Sequence, residues 1–179
     1  MKRFIGLLGL GALAAIVQGV AGTFIPQRFV PDLGFLLVVA LGLSWRNLGS
    51  GTALAACLGY LTDLLSGSLL GQHVILRMFV FSAARLGSRH LSLIGLVPRA
   101  CFVAALTAVN ALAMEFLTSA FTDGPEFEAA ALTGLAAQMV LNALLAAPVA
   151  ALTERAAALL GEDEGARRLS LETGGGRLV

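Results

Sequence analysis

The chain has 179 residues, 58% of them hydrophobic and 13% charged, with a net charge of +1 and a mean hydropathy of +0.87. A soluble domain keeps roughly a quarter of its residues charged. Polar surface could not cover this chain in water, so lipid is the expected solvent for most of it, and the small net charge implies no strongly electrostatic partner such as nucleic acid.

The apolar runs are long, unbroken and rich in Leu, Ala and Gly, which fits helices rather than the alternating strands of a transmembrane barrel. About twenty apolar residues cross the hydrocarbon core. In chain order the spans are expected at Phe4 to Ile25, Leu33 to Trp45, Leu48 to Leu65, Leu69 to Leu86, Leu96 to Phe121 and Ala129 to Leu152. Pro26 ends the first, and Pro31 is placed at the first turn of the second, where proline is tolerated. That second span is short and must lean on its neighbours, sit off-centre or thin the bilayer. Ser66-Gly67-Ser68 reads as a tight turn, Ser88-Arg89-His90 as the start of a polar connection, and Thr122 to Glu126 as a break. The fold class is therefore all-α and integral to the membrane: a compact bundle of about six transmembrane helices over residues 1–153. A charged, then Gly-rich tail over 154–179 continues the last helix and then becomes disordered. Lys2, Arg3, the apolar stretch and Ala21-Gly22 also resemble a signal peptide, but the stretch is long for a cleaved one and its loss would leave an odd number of spans.

Six spans put both termini on one side. Lys2, Arg3, Arg46, Arg85, Arg89, Arg99 and Arg155 share that side, whereas the opposite loops hold Arg28 with Asp123, Glu126 and Glu128. The positive-inside rule makes the termini cytoplasmic.

Helices in lipid associate through small residues. Gly51, Ala55 and Gly59 form a smooth strip on the third helix, and Ala100, Ala104 and Ala108 another on the fifth. Gly11, Ala15 and Gly19 on the first form a strip that either packs internally or docks a separate membrane partner. Cys57 and Cys101 read as small packing residues.

Ionisable groups at membrane depth are costly and mark functional candidates. Arg77, in the fourth helix, needs an internal partner; Asp63 across the Ser66 turn is the expected counter-ion, and Asp32, which can cap the second helix or meet Arg77, is the other candidate. Asp32, Glu115 and Gln138 are expected to converge with them in the outer half of the bundle, while Asn142 and Thr107 are assigned to the inner half. The cluster either locks the helices together or lines an outward-facing pocket for a small polar ligand. His73 reads as interfacial and His90 as a loop residue. No phosphate loop, HExxH or nucleophile elbow is present, so no catalytic residue, cofactor or metal site is assigned.

Pro31-Asp32-Leu33 opens the short second helix, Gly59-Tyr60-Leu61-Thr62-Asp63-Leu64-Leu65-Ser66-Gly67 follows in the third, and Leu70-Gly71 comes next. This order, Pro31, Asp32, Gly59, Asp63, Gly67 and Gly71 with their spacing, resembles the rod shape-determining protein MreD family. The resemblance is best over Pro31 to Arg85 and general elsewhere. It implies a non-enzymatic scaffold of the lateral cell-wall elongation machinery in the bacterial inner membrane. The partners it implies are MreC directly and, through it, the MreB filament, the glycan polymerase RodA and a class B penicillin-binding transpeptidase. That family is similar in architecture to the substrate-binding S components of energy-coupling-factor transporters, which keeps a small-molecule-binding or transport subunit as the alternative.

Overall fold

A computed structural model describes residues 2–26, 29–45, 47–67, 70–91, 95–121 and 129–174, without the side chains of 121, 129–131 and 161–174. These form six helices: α1 (Lys2–Phe24), α2 (Leu33–Ser44), α3 (Leu48–Ser66), α4 (Gln72–His90), α5 (Leu96–Phe121) and α6 (Ala129–Gly174). They run up and down, so α1 begins and α6 finishes at one end of the bundle, here the terminal end. The helix starts of α2, α4 and α6 lie at the far end. Arg28, Arg46, Asp123, Glu126 and Glu128, on which the expected orientation partly rests, lie outside the described residues or side chains.

Four helices contain stretches long and apolar enough to cross a membrane: Lys2–Phe24, Leu48–Ser66, Leu96–Ala120 and Leu132–Leu160. The other two, α2 and α4, fall short for different reasons. With 12 residues, α2 reaches only about 18 Å at ~1.5 Å per residue. It needs no more, because it is the axis of the bundle, in contact with α1, α3, α4 and α6. Every residue from Phe35 to Gly42 is buried, which explains why it is apolar on all faces. By contrast, α4 is more polar, carrying Arg77, Arg85 and Arg89. It is held between α2 and α3, so Leu76, Arg77, Val80, Phe81 and Ala84 are buried.

Close backbone approach builds both α4 interfaces. A Cβ on Gly42 of α2 would sit 2.8 Å from the Phe81 carbonyl oxygen, and one on Gly59 of α3 would sit 2.6 Å from that of His73. Gly51, on the same strip as Gly59, faces the Phe81 ring. The third-helix strip is thus spent on internal packing.

Several boundaries differ from the sequence reading. Pro31 lies before the helix, not in its first turn: Asp32 is the N-cap and Leu33 the first helical residue. Ser88, Arg89 and His90 are helical rather than the start of a connection. Cations in a last turn suit the helix dipole. Cys57 and Cys101 are exposed, not packed inside. An apolar run facing lipid has no polar side to betray its outward face, so the sequence pattern could not tell the two faces apart. Finally, α6 has 46 residues, about 69 Å by helical rise, and packs beyond residue 153. Thr153 is buried, Ala156 and Ala157 pack on the core, and Leu160 lies over Gly6.

Candidate functional site

Two carboxylates, buried Asp63 and half-buried Asp32, organise the far half of the bundle, and each does two jobs. Asp32 caps α2: its Oδ1 accepts from the Phe35 amide at 2.8 Å, which satisfies one of the free donors of a helix start. Both Asp32 oxygens also accept from Arg77 Nη2 at 2.8 Å. The Asp32 amide donates to Asn142 Oδ1 at 3.1 Å, and Asn142 Nδ2 donates to Thr107 Oγ1 at 3.3 Å. Residues of α2, α4, α5 and α6 thereby form one chain of hydrogen bonds. The Arg77 side chain is 2% exposed and that of Asp32 22%. The guanidinium lies 5.9 Å from the centre of the Phe35 ring. Its Nε and Nη1 are buried with no hydrogen-bond partner among the described residues.

Asp63 caps a helix that is not its own. The N-cap of α4 is Gly71, which has no side chain to offer. Asp63 replaces it from across the hairpin, accepting from the Gly71 amide at 2.9 Å and the His73 amide at 3.0 Å. His73 Nδ1 lies 2.8 Å from Asp63 Oδ1. The turn that permits this has Gly67 at φ 65° and Gly71 at φ 97°, left-handed values that glycine adopts without a Cβ clash. Next to it, Gln72 Nε2 donates to Thr118 Oγ1 at 2.8 Å and the Met114 carbonyl at 3.3 Å, joining α4 to α5.

The expected Arg77–Asp63 pair is therefore replaced by Arg77–Asp32. Asp63 is committed to the start of α4, which leaves Asp32 to meet the cation. Glu115 does not join: it is exposed on α5. Gln138 is half-buried on α6, one turn from Asn142, and makes none of the hydrogen bonds of this network. Asn142 and Thr107, assigned to the inner half by counting from helix ends, lie level with Asp32. Asp32 reaches them because helix ends are not flush: α2 starts inside the bundle, with Val30 buried just before it. His73 is a hydrogen-bond partner of Asp63 through both its backbone amide and its ring Nδ1. A polar residue near the middle of an apolar run was the available signal for Asn142.

Beside Asp32 lies a cavity of about 270 Å³ between α1, α3 and the start of α2. Its polar lining is Gln18, Thr23, Asp32, Thr62 and Ser66, and Gly34 forms part of its wall. All three residues of the expected docking strip, Gly11, Ala15 and Gly19, face this cavity. Gly11 is taken by Leu58 of α3, whereas a Cβ added to Gly19 would meet nothing within 4 Å. Comparison with family models, curated proteins and solved structures finds no match.

Proposed function

We propose that this chain is a non-enzymatic membrane scaffold of the bacterial cell-elongation machinery, the role implied by its resemblance to the MreD family. In this reading it lies in the inner membrane and crosses it six times, with α2 and α4 completing their passages inside the protein. Both termini are cytoplasmic. It binds the bitopic protein MreC directly and is linked through it to MreB, RodA and a class B penicillin-binding transpeptidase.

The observation that carries the reading concerns the residues of the resemblance. Pro31 and Asp32 open α2, Gly59 seats α4 on α3, Asp63 caps α4, and Gly67 and Gly71 shape the turn between them. A motif assembled into one device for holding three helices suits a protein whose work is to hold others. The charge distribution supports the orientation: Lys2, Arg3, Arg85, Arg89, Arg99 and Arg155 all lie in the terminal half of the bundle, as the positive-inside rule requires of cytoplasmic ends. Beneath the cavity, buried Leu7, Leu37, Leu54 and Leu58 belong to one apolar core, which favours a scaffold over a conduit.

The test is co-purification in mild detergent with MreC. A stoichiometric complex that survives size exclusion is expected, and its absence overturns the scaffold reading. Among the described residues the cavity favours the transporter-subunit alternative, which requires instead a complex with an ATPase and its membrane coupling component.

A further inference from the structure

We infer that the cavity between α1, α3 and the start of α2 binds a small, uncharged ligand rich in hydroxyl groups. The inference goes beyond the scaffold reading and does not depend on it.

The chemistry of the wall sets the class. Thr23 Oγ1 donates to the Val20 carbonyl at 2.7 Å, and Thr62 Oγ1 donates to the Leu58 carbonyl at 2.9 Å. Their protons are committed within their own helices, so each presents lone pairs to the cavity. Asp32 is a carboxylate and adds only acceptors. Of the other polar groups lining the space, the Gln18 amide supplies N–H donors and the Ser66 hydroxyl one O–H with two acceptor lone pairs. The wall is therefore weighted toward acceptors, and its occupant must bring donors. A bare ammonium is the wrong donor, because the Arg77 guanidinium already balances the Asp32 charge at 2.8 Å. A polyol brings donors without charge. About 270 Å³ is many times the ~10–15 Å³ that a single water needs, room for a molecule of about monosaccharide size.

A second observation places Asp32 at the head of the site, with Arg77 directly behind it. An ideal Cβ on Gly34 would lie 3.4 Å from Arg77 Nη2 and 3.6 Å from Asp32 Oδ1. The missing side chain leaves Asp32, 22% exposed, open to the cavity on that side, while the Arg77 guanidinium, 2% exposed, stays closed off behind it. A ligand on Asp32 would touch the residue that also caps α2, holds Arg77 and meets Asn142, so occupancy would be felt by four helices.

The polyol has two sources, a free sugar or the sugar headgroup of a glycolipid. The full chain is purified, and its Tm is followed with D-glucose in detergent and in nanodiscs with or without monoglucosyl diacylglycerol. A saturable rise on the order of 5 °C at one hundredfold over Kd is expected from one probe, and which one identifies the source. Gly19→Leu fills open space on the wall, since a Cβ there meets nothing within 4 Å; it should keep the unliganded Tm and abolish the shift. Gly22→Leu, equally unobstructed, serves if that variant does not fold. Thr62→Val should weaken binding about tenfold through one lost acceptor. No saturable shift with either probe overturns the inference, as does a shift that survives the filled cavity. A shift with choline but not with glucose overturns the uncharged class.

Discussion

Arg77 and Asp32 show how a buried cation is tolerated, by a half-buried carboxylate that also caps a helix. Removing one partner leaves the other charge uncompensated, which costs about 3–5 kcal/mol in a buried setting. Arg77→Ala and Asp32→Ala should each sharply lower folded yield and thermal stability in detergent. A double-mutant cycle separates the two candidate counter-ions: Arg77 and Asp32 should couple strongly, whereas Arg77 and Asp63 should be close to additive. Strong Arg77–Asp63 coupling would contradict the geometry. Asp63→Ala has its own penalty, because it strips the cap of α4 and strands the Gly71 and His73 amides. The combined cost is about 2–4 kcal/mol, read as lost stability and as faster hydrogen exchange confined to the first turn of α4. Asp32 and Asp63 were both visible in the sequence as carboxylates at membrane depth. Their division of labour was not, because each can serve as cap or counter-ion and only distance selects between them.

At the level of the helices, the decisive contacts are the places where side chains are missing. At Gly59 an added Cβ would press on the backbone of His73 and Val74, which cannot swing aside as a flexible side chain can. Gly59→Ala should therefore destabilise by about 1–3 kcal/mol through overpacking. Gly9→Ala meets nothing within 4 Å and should be neutral or stabilising by up to about 1 kcal/mol through helix propensity. A thermal-stability comparison of the two variants checks this, and equal effects would count against the close α3–α4 seat. Four-residue spacing of small residues announced the α3 strip but did not reveal its partner. The same spacing on α1 looks identical in sequence, yet it meets Leu58 at Gly11 and open space at Gly19.

For the whole molecule, the terminal end is tied together across the full chain length. Arg3 Nε donates to the Ala157 carbonyl at 2.9 Å, and the Arg3 guanidinium lies 5.7 Å from the centre of the Trp45 ring. A chain ending at Leu160 keeps these contacts and should retain the stability of the full chain. One ending at Leu152 loses them, together with buried Thr153, and should melt at lower temperature. Orientation is checked in a Cys57→Ala, Cys101→Ala background. Phe24→Cys, at the 82%-exposed far end of α1, should react with an impermeant maleimide on intact spheroplasts, and Arg89→Cys only after lysis. The reverse pattern would invert the topology.

Composition determined that the chain is suited to lipid, because it has so few charges, and the long unbroken apolar runs determined that it is helical, since a barrel would alternate. The breaks between apolar runs marked six helices in nearly correct places, since Gly, Pro and charged clusters interrupt helices by local chemistry. Tertiary structure decided what those helices do for one another. It turned the short second helix from an awkward span into the buried axis of the bundle, and it gave Arg77 to Asp32 because Asp63 was already spent on α4. It also opened a polar cavity where α1 leaves α3. None of these follows from position along the chain, because depth and neighbourhood depend on how far each helix is shifted along its axis. That shift is set by packing between segments distant in sequence.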